Sequence, residues 1–197
     1  KAIRRQRQMC IRDRGMYTRY FSFEDDEFGS VAPKGFTTVD ADHKATVQPL
    51  MINYPNIGNA YAYIVINQQP EPEGADWRNI YPRSGDQLLA TMATADGTEA
   101  VDWIISDQMT ARNDAKFRFY AKSYDGDNTY HPWAYLTVLV STTDNAVSSF
   151  TPLSGFTSVQ VPHKNNNDSQ TSWTEFDVDL SAYAGQKIYI AVRNNTP

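Results

Sequence analysis

One cysteine, Cys10, occurs in the 197 residues, and it lies near the start, so the body of the chain has no thiol and can form no disulfide. Thiol usage therefore says little about redox compartment. No apolar run approaches the roughly 18 residues that span a bilayer, which excludes an inserted helix. Histidine is scarce. His43, His131 and His163 fall on separate loops, with neither an H-x3-H nor an H-E-x-x-H spacing. Nucleophile elbows, phosphate-binding loops and dinucleotide fingerprints are missing as well. Paired carboxylates discriminate nothing, because a chain this acidic offers some pair at any spacing. The sequence is accordingly read as non-enzymatic. Convincing amphipathic helices and fixed-period repeats are also lacking, so bundles, solenoids and propellers are disfavoured.

Charge is present but uneven. Residues 1–14 carry six basic groups (Lys1, Arg4, Arg5, Arg7, Arg12 and Arg14) and one acid, Asp13. The remainder holds 12 basic and 22 acidic residues, a net of −10. Such a body repels nucleic acid backbones and favours cations. The basic head has no aromatic interleaving to suit a nucleic-acid arm and no apolar core to suit a signal peptide. KAIRRQRQMCIRDR instead resembles the in-frame translation of a sequencing adapter. Residues 1–15 are set aside as non-native, and 16–197 are expected to form a single domain, a size at which one core suffices.

What the body does contain is alternation. In Trp173–Arg193, Phe176, Val178 and Leu180 alternate with Glu175, Asp177 and Asp179, and Ile188, Ile190 and Val192 resume the pattern after a small-residue connection ending at Gly185. Two strands are predicted there, each with one apolar face that something must cover. Further strands are predicted at Met16–Phe23, Thr37–Val39, Tyr61–Ile66, Gln87–Met92, Val101–Ser106, Lys116–Lys122, Ala134–Ser141 and Gly155–Val161, with a helical turn at 144–150. Nine or ten short strands joined by polar loops imply an all-β sandwich. Trp103 and Trp173 sit in strands and are read as core.

Candidate sites are acidic or aromatic. Glu24–Glu27 places four carboxylates together, either solvated or bridged by a cation. Asp40 and Asp42, at i and i+2 on a loop, can converge on one hard cation. Asp125 and Asp127 flank Gly126 and make either a second calcium loop or a solvated turn. Trp77, Tyr81, Tyr124, Tyr130 and Trp133 lie in long polar loops, where they either stack on sugar rings or pin the loops to the sandwich.

The order of segments resembles a family. SFED, APKGFTTVDAD, SGDQLLA, DWIISDQ, FRFYAKS, LTVLVSTTD, FTPLSG and VDLSAYAGQKIYIAVRN are similar, over roughly residues 20–194, to the cleaved-adhesin or choice-of-anchor J domains of Bacteroidota-type surface and secreted proteins. The resemblance implies a two-sheet antiparallel jelly roll with structural calcium, displayed at the cell surface or secreted. It implies use in adhesion or anchoring, with a host or matrix protein, a glycan, or other domains of a larger parent chain as partner. Nucleic acid and membrane insertion are not implied. By position, Glu24, Asp40 and Asp42 would be calcium ligands. The glycine-rich loop of the family is here Asp40-Ala41-Asp42-His43, Ser-Pro is replaced by Ser106-Asp107, and a final strand with an Asp pair is expected to be missing. The alternative is a carbohydrate-binding accessory module of a secreted hydrolase.

Overall fold

The computed structural model describes residues 18–48, 54–67, 82–123, 133–162 and 173–197. Its elements are β1 (Phe36–Asp40), β2 (Ile64–Asn67), β3 (Gln87–Ala90), β4 (Asp102–Ser106), β5 (Met109–Thr110), β6 (Lys116–Ala121), β7 (Tyr135–Ser141), β8 (Thr151–Pro152), β9 (Val159–Gln160), β10 (Thr174–Asp179) and β11 (Lys187–Asn194). The only helical pieces among the described residues are single 3-10 turns at Val147–Ser149 and Ser181–Tyr183. The all-β expectation holds, and the first of these turns falls inside the stretch predicted to be helical.

One layer is a seven-stranded sheet in the order β1-β4-β11-β7-β8, with β5 beside β11 and β9 beside β7. Every pairing is antiparallel. The other layer is two separate ribbons, β2–β3 and β6–β10. Both cover the same face of the large sheet. Ile104, Val192 and Val138 are directly opposite one another across β4, β11 and β7, and so share a face. Val138 packs with Val178 and Leu180 of the β6–β10 side, while Ile104 and Val192 pack with Tyr63 and Leu89 of the β2–β3 side.

The chain from β10 to β11 does not fold back as a pair. β10 bonds only to β6, whereas β11 enters the centre of the large sheet between β4 and β7. The Ser181–Gly185 connection therefore crosses between layers, with Gly185 in the left-handed region at φ 79°. Its effect is that the apolar faces of the two strands meet each other. Val178 and Leu180 stand against Ile188 and Ile190, all buried. Each such side chain removed from water contributes about 1.5–3 kcal/mol.

The β2–β3 ribbon is buried on both sides, which explains the unbroken apolar run around it. Val65 and Leu89 are paired on one face, and Leu89 packs toward the large sheet. Ile64 and Ile66 face Tyr54, Tyr61, Phe28 and Ile57 on the other. The tyrosines keep their polar tips satisfied: the Tyr54 and Tyr61 hydroxyls bond to each other at 3.1 Å, and Tyr63 donates to the Val192 carbonyl at 3.3 Å.

Two predicted strands fail. Residues 18–23 form no strand; Phe21 and Phe23 instead lean on Phe36, and Arg19 pairs with Asp107 at 2.9 Å. Alternation alone does not make a ladder when the aromatic rings find a partner from a loop. Only Val159–Gln160 of the Gly155–Val161 stretch is strand. Trp103 is buried against Phe150, on the face of the large sheet away from the ribbons. Trp173 is only half-buried, because it lies on the outward side of β10 rather than in the core.

Candidate metal centre

The register of the large sheet brings polar side chains into line at one end. Asp40 is opposite Asp102 across β1 and β4, and Asp102 is opposite Asn194 across β4 and β11. Directly opposed residues point to the same side, so these three project together from three adjacent strands. They occupy the inner face, two residues beyond Ile104 and Val192, where the core gives way to the sandwich edge.

Asp42 is delivered by the loop after β1. The Ala41 amide donates to the Val101 carbonyl at 3.0 Å, and the Val101 amide donates to Asp42 Oδ2 at 2.6 Å. The Lys44 amide donates to Asp42 Oδ1 at 2.9 Å, and the His43 amide to Asp40 Oδ1 at 2.7 Å. These side-chain turns fold the segment back on itself. His43 takes the left-handed conformation, φ 56°, which glycine adopts without strain. The loop thus reaches its tight turn without one, at a cost of roughly 1–2 kcal/mol.

The result is a trio. One carboxylate oxygen from each of Asp40, Asp42 and Asp102 lies within 4.8 Å of the other two. Two oxygens bound to one Ca²⁺ at about 2.3–2.6 Å are at most about 5 Å apart, so the spacing fits a shared ion. Asp102 is 4% exposed. Burial first, then the charges of Asp42 and Asp40, push its carboxyl up to about 8 from 3.8. Asn194 Nδ2 and Thr91 Oγ1 donate long bonds to its Oδ2, at 3.5 and 3.4 Å, and offset this only in part. The adjacent lysine gives no relief, since Lys44 pairs with Asp96 at 3.4 Å. Three acids crowded together, Asp102 buried and Asp40 and Asp42 half-buried, with no basic side chain among the described residues acting on Asp102, are chemically matched to a hard, oxygen-seeking cation.

Of the residues expected at the metal, the structure brings Asp40 and Asp42 together and does not include Glu24 in the trio. The Glu24 carboxylate accepts from the Asp86 and Gln87 amides, each at 3.1 Å, and so orders the turn that opens β3. Asp125, Asp127, Trp77, Tyr81, Tyr124 and Tyr130 lie outside the described residues. Trp133 is half-buried just before β7. Asp102 was missed by sequence reasoning. Its signal was a carboxylate heading the otherwise apolar strand VDWIIS, a position where an unpaired acid is costly.

Comparison with known proteins adds the following. The Cleaved Adhesin Domain profile matches residues 73–196, more than half of the chain. Among solved structures, the K2 cleaved adhesin domain of Lys-gingipain is similar at 22% identity, with 89% of this chain and 88% of that chain covered and a TM-score of 0.55. The K1 cleaved adhesin domain of Lys-gingipain from Porphyromonas gingivalis W83 is similar at 20% identity over 90% and 88%, with a TM-score of 0.52. At such identities the likeness is one of fold. No curated protein matches.

Proposed function

The chain belongs to the Cleaved Adhesin Domain family, and on that premise we propose that it is a non-catalytic, calcium-stabilised adhesion or anchoring module of a larger secreted or surface protein. The observation that supports calcium is the meeting of Asp40, Asp42 and Asp102 within 4.8 Å at a buried edge. Asp40 and Asp102 come from two paired strands, and Asp42 comes from the loop between β1 and the β2–β3 ribbon. An ion held by all three ties that loop to the sheet. It supplies positive charge beside Asp102, on which no basic side chain among the described residues is seen to act. No helix among the described residues is long and apolar enough to cross a membrane.

The test is a calcium titration followed by thermal melting, with Asp40→Asn, Asp42→Asn and Asp102→Asn as variants and Glu24→Gln beside them. Loss of the calcium response in the first three and its retention in Glu24→Gln is the expected pattern. Terbium luminescence gives an independent occupancy reading. A melting temperature indifferent to millimolar calcium in the wild-type chain sinks the metal reading. Solid-phase binding to extracellular-matrix protein, with and without chelator, tests adhesion itself.

Carbohydrate binding is the second reading. Trp133, an incompletely buried aromatic just before β7, favours it.

A further inference from the structure

The β6–β10 ribbon turns one face to the core and one to solvent. Phe117, Phe119 and Phe176 stack inward, with ring centroids 5.0 and 4.9 Å apart. Outward, the register pairs Lys116 with Asp179, Arg118 with Asp177 and Tyr120 with Glu175, and Lys122 then stands over the Trp173 ring at 5.0 Å. Along this strip Arg118 bridges Glu175 at 3.0 Å and Asp177 at 2.9 Å, and Lys116 reaches Asp177 at 3.1 Å. Tyr120 donates its hydroxyl to Glu175 and carries the Arg83 guanidinium 3.6 Å above its ring. Each polar group is thus held in place by its neighbours.

The charges nearly balance. Residues 116–122 contribute three basic groups and 173–179 three acidic ones, and Arg83 above Tyr120 adds a fourth cation, so the strip is within one charge of neutral in a protein with a net charge of −5. A strip of closely interspersed, nearly cancelling charges offers little net field to a polyanion or a polycation. It does offer donors and acceptors in alternation, which suits an uncharged molecule rich in hydroxyls. The aromatic component is at one end. Tyr120 and Trp173 are diagonal neighbours, about 7–8 Å apart at the backbone. Trp133 immediately precedes Ala134, whose carbonyl accepts from the Val161 amide at 2.8 Å, and the Ser123 amide donates to the Pro162 carbonyl at 3.4 Å, so the start of β7 and the end of β6 both bond to residues 161–162.

We propose that this outward strip is a binding platform for a neutral oligosaccharide. Trp173 and Trp133 supply the stacking rings, and Glu175, Tyr120 and Lys122 supply the hydroxyl partners. The inference deepens the carbohydrate reading and stands apart from the metal trio, whose residues are on β1, β4 and the loop after β1.

Affinity electrophoresis through gels containing β-glucan, xylan or mannan tests it, with heparin as a charged comparison. At least one neutral polysaccharide retards the wild-type chain. Trp173→Ala and Trp133→Ala each weaken that retardation about tenfold, and Glu175→Gln weakens it while leaving the melting temperature in place. Tyr20→Ala, which removes an aromatic ring 67% exposed and belonging to neither β6 nor β10, changes nothing. The proposal is overturned if no neutral polysaccharide retards the chain. Retardation by heparin alone, or retardation that survives both Trp173→Ala and Glu175→Gln, overturns it equally. Calcium-dependent melting is read separately, so either reading can fail while the other holds.

Discussion

Asp102 is the residue on which the electrostatics of the molecule turn. Unfolded, its carboxyl releases a proton near its ordinary 3.8; folded, burial and the neighbouring acids hold the proton to about 8. Between those values the native state binds more protons than the unfolded one, so raising the pH removes stability. In chelator, urea midpoints are expected to fall from pH 5 to pH 8. Asp102→Asn flattens that slope, and saturating calcium reverses it by favouring the charged trio. A midpoint that rises with pH in the metal-free wild type contradicts this. Gly85 gives a second residue-scale prediction. It sits at φ 72°, and a Cβ there collides with the Glu24 carboxylate. Gly97 has the same φ of 72° with nothing within 4 Å. Gly85→Ala is therefore expected to cost about 1–3 kcal/mol and Gly97→Ala distinctly less, measured by chemical denaturation side by side. At this scale the sequence was half legible. Asp40 and Asp42 announced themselves by adjacency, whereas Asp102 lies 60 positions further on and meets them only through strand register.

Among the elements, β10, β11 and the crossing between them organise the core. Ile188 has no exposed surface and packs where the faces of β10 and β11 meet. Ile188→Ala is expected to cost about 2–5 kcal/mol, the range for a buried aliphatic truncation that leaves a cavity. Calorimetry or denaturant unfolding reads it. The strands of this region were legible because a period of two is hard to mistake over six or eight residues. Their pairing was not. A short connection reads equally well as a hairpin or as a crossing, and only the wish of both apolar faces for the same core decides it. Similarly, the aromatic alternation before residue 24 predicted a strand, but Phe21 and Phe23 are absorbed by Phe36 instead. The buried run in β2 carried no face signal, since a ribbon covered on both sides has no polar side to show.

For the whole molecule, the prediction concerns coupling. A ligand that binds only the folded chain at about 100 times its dissociation constant adds about 2.7 kcal/mol. For a chain of this size that is a rise of roughly 5–10 °C in melting temperature. Differential scanning calorimetry with and without millimolar calcium checks it, and the three asparagine variants of the trio are expected to lose the rise. Fold class was readable from composition and spacing alone, because many short alternating segments without helical periodicity leave few architectures. The split of one layer into two ribbons was not, since nothing local marks where a ladder is interrupted.

β11 lies in the middle of the large sheet, bonded to β7 from Tyr189 to Asn194 and to β4 from Ala191 to Asn194. Just beyond it, the Asn195 amide donates to the Tyr135 carbonyl at 3.1 Å and Thr196 accepts from the Ala100 amide at 2.8 Å. Tension applied along this strand meets both ladders lengthwise, so their bonds are loaded in shear all at once rather than unzipped one after another. If the chain serves to anchor, as proposed, a pull along β11 meets its resistance down the centre of the sheet.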